Sequence, residues 1–225
     1  MNNADPIQSQ KIKWAYTTLI MIIVWFALVL QFTISIPAYQ AQGRTIAGSL
    51  VQLVSFFTIL SNLLVVISIT ILLTKPGSTL YRFFSKSSVL TGIAVYITIV
   101  GLVYNLVLRH IWQPQGLFKL ADELLHTINP TLFIIYWLAF VPKEGLMWDN
   151  ILSWLWFPFI YLVYVIIRGA FTGYYPYPFV DVLHLGYTKV MINSFLLLMV
   201  FLGFGALFVL IDRWQTKIAK AVTSR

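Results

Sequence analysis

Residues 14–36 read WAYTTLIMIIVWFALVLQFTISI, a run with no charged side chain. A helix rises about 1.5 Å per residue, so about 20 such residues match a hydrocarbon core about 30 Å thick. Five more runs of this kind follow, at about 50–73, 89–108, 124–141, 151–167 and 190–211. Inside lipid the backbone must satisfy its own hydrogen bonds, so each run is predicted to be a helix. The expectation is an all-α membrane protein, a single bundle of six transmembrane helices filling residues 1–225 as one domain.

Composition agrees with that reading. The 225 residues are 60% hydrophobic and 10% charged, unlike a water-soluble domain. There is no cysteine, which excludes disulfides, thiolate metal sites and cysteine nucleophiles. The net charge of +8 does not mark a nucleic-acid binder, because the fifteen Lys and Arg are scattered over the ends of the apolar runs. With the N-terminus inside, Lys11, Lys13, Lys75, Arg82, Lys86, Lys143, Arg213, Lys217, Lys220 and Arg225 lie inside. Only Arg44, Arg109, Lys119, Arg168 and Lys189 lie outside, so both termini are expected in the cytoplasm. The first run is too long for an ordinary signal sequence and is read as a retained helix. Residues 1–10 are polar and expected to be mobile, and Leu80–Phe84 reads as an interfacial segment.

The joint at 168–188 is unusual. It runs RGAFTGYYPYPFVD from Arg168 to Asp181, rich in tyrosine and stiffened by Pro176 and Pro178. It reads either as an aromatic belt at headgroup level or as a folded lid that carries Asp181 inward. No internal repeat of the kind seen in transporters is visible.

Polar side chains inside apolar runs need a reason. Ser55, Thr58 and Asn62 stand three and four apart in the second run and are expected to share one helix face. Such groups often only bond neighbouring helices together. In the fourth run, His126 is an ionisable group within a span, which marks a candidate site. Asp122 lies one turn away on the same face, where a carboxylate can hold one ring nitrogen and leave the other as a base. Asn129 and Pro130 follow, and the proline frees the His126 carbonyl. Both runs descend from the outer face, so Thr58 and His126 reach similar depths. A hydroxyl beside an imidazole is the minimal equipment for acyl transfer. Asp122 or Asp181 would orient the ring. Ser55, Asn62, Asn105, Asn129, or Tyr175 and Tyr177 from the joint are the candidates to bind substrate or an oxyanion. No spacing demands a metal or a haem, since His110 and His184 fall in joints, and no cofactor is assigned.

At these residues the chain resembles the prokaryotic six-helix membrane family Pr6Pr, which is related to the androgen-induced and androgen-dependent membrane proteins of animals. The resemblance is carried by SFFTILSNLLV (55–65), LLHTINPTLFIIYWLAFVPKEG (124–145), WLWFPFIYLVYVIIRG (154–169) and YPYPFVDVLHLGY (175–187). The pattern Trp154, Pro158, Tyr161 followed by YPYPF and Asp181 is its most specific part. The animal proteins are similar to threonine hydrolases that cleave fatty esters with an intramembrane Thr and His. Carried over, these fall on Thr58 and His126. The resemblance therefore implies a lipid or fatty-ester hydrolase in the bacterial inner membrane, acting on membrane lipids or fatty esters and independent of nucleic acid. The alternatives are a non-enzymatic lipid-binding or assembly protein and, further off, a transporter. Acyl chain, alcohol and oligomeric state are not legible.

Overall fold

The computed structural model describes residues 6–223, and every regular element in that range is helical. In chain order these are α1 (Pro6–Ala41), α2 (Ile46–Val54), α3 (Phe57–Thr74), α4 (Thr79–Phe84), α5 (Ser87–Leu106), α6 (Leu117–Glu123), a π-helical turn (Leu124–Ile128), α7 (Asn129–Phe140), α8 (Asp149–Thr172) and α9 (Val182–Thr223). Short 3-10 turns sit at Leu108–His110 and Pro178–Val180. Among the described residues, five helical stretches are each long and apolar enough to cross a bilayer: Ile7–Ala41, Phe57–Thr74, Ser87–His110, Asp149–Thr172 and Val182–Ala221. The architecture is all-helical and consistent with a multi-pass membrane protein.

Several boundaries depart from expectation. α1 already begins at Pro6, so the stretch expected to be mobile is helical from there. Residues 1–5 and Arg225 lie outside the described residues. The fourth run does not start at 124: α6, the π turn and α7 form one unbroken helical path over residues 117–140. The second run is not one helix, because the chain leaves helical form at Ser55 and Phe56. Ser55 therefore does not continue the face of Thr58 and Asn62. The joint at 168–188 shortens to residues 173–181, since α8 extends to Thr172 and α9 begins at Val182 with a kink at Gly186. α4 is a single capped turn. Ser78 Oγ accepts from the Tyr81 N–H, Phe84 is buried, and Leu80 and Phe83 stay exposed, as suits an interfacial segment.

The chain falls into two compact units. One comprises the described residues up to Leu53 with Thr58–Pro142, and the other comprises Val54–Phe57 with Lys143 onward. In the first, α7 packs on both α1 and α5, and all three pack on the π turn. Its core is aliphatic and aromatic: Ile20, Val24, Val66, Ile97, Phe133 and Trp137 are fully enclosed. Polar tips on these helices find partners across the interfaces, as apolar surroundings require. Trp137 Nε1 donates to Thr91 Oγ1 at 2.8 Å, and Tyr16 Oη donates to the Leu132 carbonyl at 3.0 Å.

In the second unit α8 packs on α9. Gly205 lets Ile151 approach so closely that a Cβ there would lie 2.9 Å from Ile151 Cγ2. Phe57 sits among Phe157, Tyr161 and Phe201, with ring centroids 5.1–6.0 Å away. The break at Ser55 is stabilised here. Tyr161 Oη donates to the Ser55 carbonyl at 2.9 Å, and Ser55 Oγ lies 2.7 Å from Tyr164 Oη. The Tyr161 phenol gives the Ser55 carbonyl a donor in place of a helical N–H, which makes the break tolerable in an apolar setting.

Asp212 on α9 is fully buried, and its Oδ2 accepts the Leu146 N–H at 2.7 Å. That bond fastens the segment after Pro142 to α9. Burial pushes the half-buried Lys143 amine in the same segment down from 10.5 to about 8, against the opposing pull of Asp212. The sign follows from proton counting. Between about pH 8 and 10.5 the unfolded chain holds the proton more than the folded one does, so stability rises with pH across that window. Lys143 keeps part of its surface in solvent, and screening shrinks the effect. From pH 8 to pH 10, the melting temperature in detergent should rise by about 2–4 °C relative to Lys143→Met. Parallel pH profiles for the two proteins would refute it.

Candidate functional site

The site begins with a missing N–H. Pro130 cannot donate to the His126 carbonyl four residues earlier, so the helix widens locally and Asn129 N–H bonds Leu124 O instead. α5 lies alongside: a Cβ on Gly101 would stand 3.2 Å from the freed His126 carbonyl and 3.2 Å from Pro130 Cβ. Asn105 Nδ2 donates to Gly101 O at 2.8 Å and reaches the His126 carbonyl at 3.5 Å. The π turn therefore has two causes, a proline in its own helix and a close small-residue contact from the next.

The widened turn brings Asp122 and His126 together. Nδ1 of His126 is 2.9 Å from the Asp122 backbone oxygen and 3.1 Å from Asp122 Oδ1. Two acceptors at Nδ1 place the ring proton there, which leaves Nε2 as an acceptor. Nε2 lies 3.1 Å from Thr58 Oγ1. The order hydroxyl, imidazole, carboxylate is thus complete within one unit. It is mostly enclosed but not sealed: Thr58 is 6% exposed and the His126 side chain 15%.

Asn62 braces the array. Its Nδ2 donates to Thr58 O at 2.9 Å and to Leu125 O at 3.1 Å, and its Oδ1 accepts from Asn129 Nδ2 at 3.0 Å. One buried amide thus ties the first turns of α3 to the π turn beside His126. Both bonds from the Asn62 amide nitrogen go to backbone carbonyls. Asn105 likewise faces the Gly101 and His126 carbonyls, and Ser55 stands with Tyr164. Asn129 serves as the partner of Asn62.

Asp181 turns elsewhere. Oδ1 caps α9 by accepting from the Leu183 and His184 N–H groups at 3.0 and 3.3 Å, and Oδ2 is 2.6 Å from His184 Nδ1. Of the two carboxylates considered for His126, Asp122 is the one in contact. Tyr175 and Tyr177 are buried in the YPYPF segment: Tyr175 lies over Gly169, and Tyr177 stacks on Phe179 and meets Phe56 edge-on. The segment is therefore folded rather than slack.

Two site residues escaped the sequence reading. Tyr104 on α5 donates its hydroxyl to Asp122 Oδ2, and its ring stacks on His126 with centroids 4.2 Å apart and planes 18° apart. Arg109 lies 5.1 Å from the Tyr104 ring and donates to Glu123 Oε2 at 2.6 Å and Thr127 Oγ1 at 3.0 Å. The available signal was a phenol within an apolar run, next to Asn105. Among the described residues, no three His, Asp or Glu side chains converge to hold a metal ion. No family model matches this chain, nor does any curated protein or solved structure.

Proposed function

We propose that this chain is an intramembrane hydrolase of lipid or fatty esters, with Thr58 as nucleophile, His126 as base and Asp122 as the group that orients the base. The carrying observation is the 3.1 Å contact between Thr58 Oγ1 and His126 Nε2, with Nδ1 turned to Asp122. The resemblance to Pr6Pr and the animal threonine hydrolases points the same way. A lipid-binding protein without chemistry would satisfy these two side chains separately, whereas here they bond each other.

In the reaction, Thr58 Oγ1 attacks the ester carbonyl as His126 Nε2 takes its proton. The tetrahedral intermediate collapses, the alcohol leaves with the proton from Nε2, and an acyl-threonine remains. Water then attacks that ester, giving its proton to Nε2. Thr58 departs, regains the proton and frees the fatty acid. In the proposed topology of six crossings with both termini in the cytoplasm of a bacterium, Thr58 and His126 lie in the outer half of the inner membrane. Substrate reaches them sideways, its tails remaining in lipid.

The test is covalent capture. A long-chain alkyl fluorophosphonate incubated with the purified protein should phosphonylate Thr58, as read by peptide mass spectrometry, and label neither Thr58→Ala nor His126→Ala. Equal labelling of wild type and Thr58→Ala would overturn the assignment.

A further inference from the structure

Tyr104 does two things at once. Its hydroxyl occupies the Asp122 oxygen that does not face His126, and its ring lies flat on the imidazole. Asp122 and His126 belong to the same helical path, so their backbones fix their spacing but not their side-chain rotations. A carboxylate turning about χ2 presents either oxygen, and an imidazole is nearly two-fold about its own χ2. A half-turn of the ring would aim carbon at Thr58. We infer that Tyr104 is a positioning residue, which locks the Asp122 carboxylate through its hydroxyl and the His126 ring through its face. This rests on the hydrolase reading only for its consequence in turnover; the locking itself is independent of it.

Charged and titratable groups stand on the helical path that carries the ring and on α1 and α5, which pack against the π turn. Asp122 and Glu123 lie on its own path, and Tyr104 and Arg109 come from α5 and the turn after it. On α1, Tyr16 bonds Leu132 O, and Tyr39 lies beneath Arg44. Only Tyr104 touches both members of the Asp122–His126 pair in these bonds and ring contacts. Arg109 pairs with Glu123 and lies over the Tyr104 ring.

The experiment separates hydroxyl from ring. Tyr104→Phe keeps the stack and deletes the bond to Asp122, and Tyr104→Leu deletes both. With the imidazole nitrogens labelled with ¹⁵N, the chain's three histidines give few signals, and His126→Ala assigns the relevant pair. Wild type should show a single tautomer with the proton on Nδ1. Tyr104→Phe should show a mixture, and Tyr104→Leu a larger one. Partners that orient a metal-bound histidine are worth about 10-fold to 100-fold; by analogy, kcat on a fatty ester should fall by about that much while KM stays put. Retention of the single tautomer in both variants overturns the inference, whatever the rates do. Thr58→Ala is the control on the hydrolase reading. If it hydrolyses at the wild-type rate, that reading falls and Tyr104 is judged by the tautomer signals alone.

Discussion

His126→Ala should hydrolyse fatty esters about 10²–10⁴-fold more slowly than wild type, the range a positioned general base contributes. A threonine hydroxyl is hardly ionised near neutral pH, so attack needs the proton removed as the bond forms. Nε2 is a nitrogen acceptor within reach of Oγ1, at 3.1 Å. The loss should fall in kcat, because the imidazole acts on the reacting proton rather than on the lipid tails. Thr58→Ala should lose at least as much, and the double variant should lose little more than either single one, since the two groups act as a unit. The fold should survive. The bonds tying α3 to the π turn run through Asn62 to backbone carbonyls and do not use the imidazole. Steady-state rates in detergent, with the melting temperature recorded in parallel, decide the matter. A His126→Ala protein that keeps its melting temperature and also its turnover would remove His126 from the chemistry.

What the sequence made legible here follows from short-range geometry. Asp122 and His126 are four apart on a helical path, so their meeting needs no tertiary knowledge. Thr58 and His126 are 68 residues apart, and their pairing rested on similar depth in runs of the same direction and on the family resemblance. Pro130 announced a defect at His126, but the kind of defect depends on α5. Gly101 brings backbone close and Asn105 reaches the carbonyl, and neither effect is written in the fourth run itself. The interruption at Ser55 carries no glycine or proline. It exists because Tyr161, 106 residues on, supplies a phenol to the freed carbonyl. Tyr104 was passed over because a tyrosine within an apolar run normally reads as an interfacial aromatic, and its carboxylate partner lies in the joint before the fourth run. Asp212 follows the last apolar residue and precedes Arg213, so it reads as part of a charged anchor. Only packing shows that it is buried against the segment after Pro142.

Gly169→Ala should destabilise the protein by about 1–3 kcal/mol, the usual cost of forcing atoms into a filled space. By propensity alone, alanine would stabilise an interior helix position by about 1 kcal/mol over glycine, so the expected sign is the reverse of the naive one. The reason is the turn that follows. Gly173 adopts φ 67°, a left-handed conformation that ends α8 and folds the chain back. The return lays the Tyr175 ring directly over Gly169. A Cβ there would stand 2.0 Å from Tyr175 Cε1 and 2.3 Å from Cζ, far inside van der Waals contact. Either the buried ring leaves its seat or the turn opens, and both outcomes expose apolar surface. The two residues should therefore couple strongly in a double-mutant cycle. Tyr175→Ala alone should cost about 3–5 kcal/mol, as loss of a buried aromatic ring does. In that background Gly169→Ala should become neutral or stabilising, because the obstructing ring is gone and only helix propensity remains. Thermal unfolding of the four proteins in one detergent measures the cycle. An equal penalty for Gly169→Ala with and without the Tyr175 ring would mean that the ring does not rest on Gly169, and that the YPYPF segment is held in place by other contacts, such as the bond from Asn193 Nδ2 to the Phe179 carbonyl.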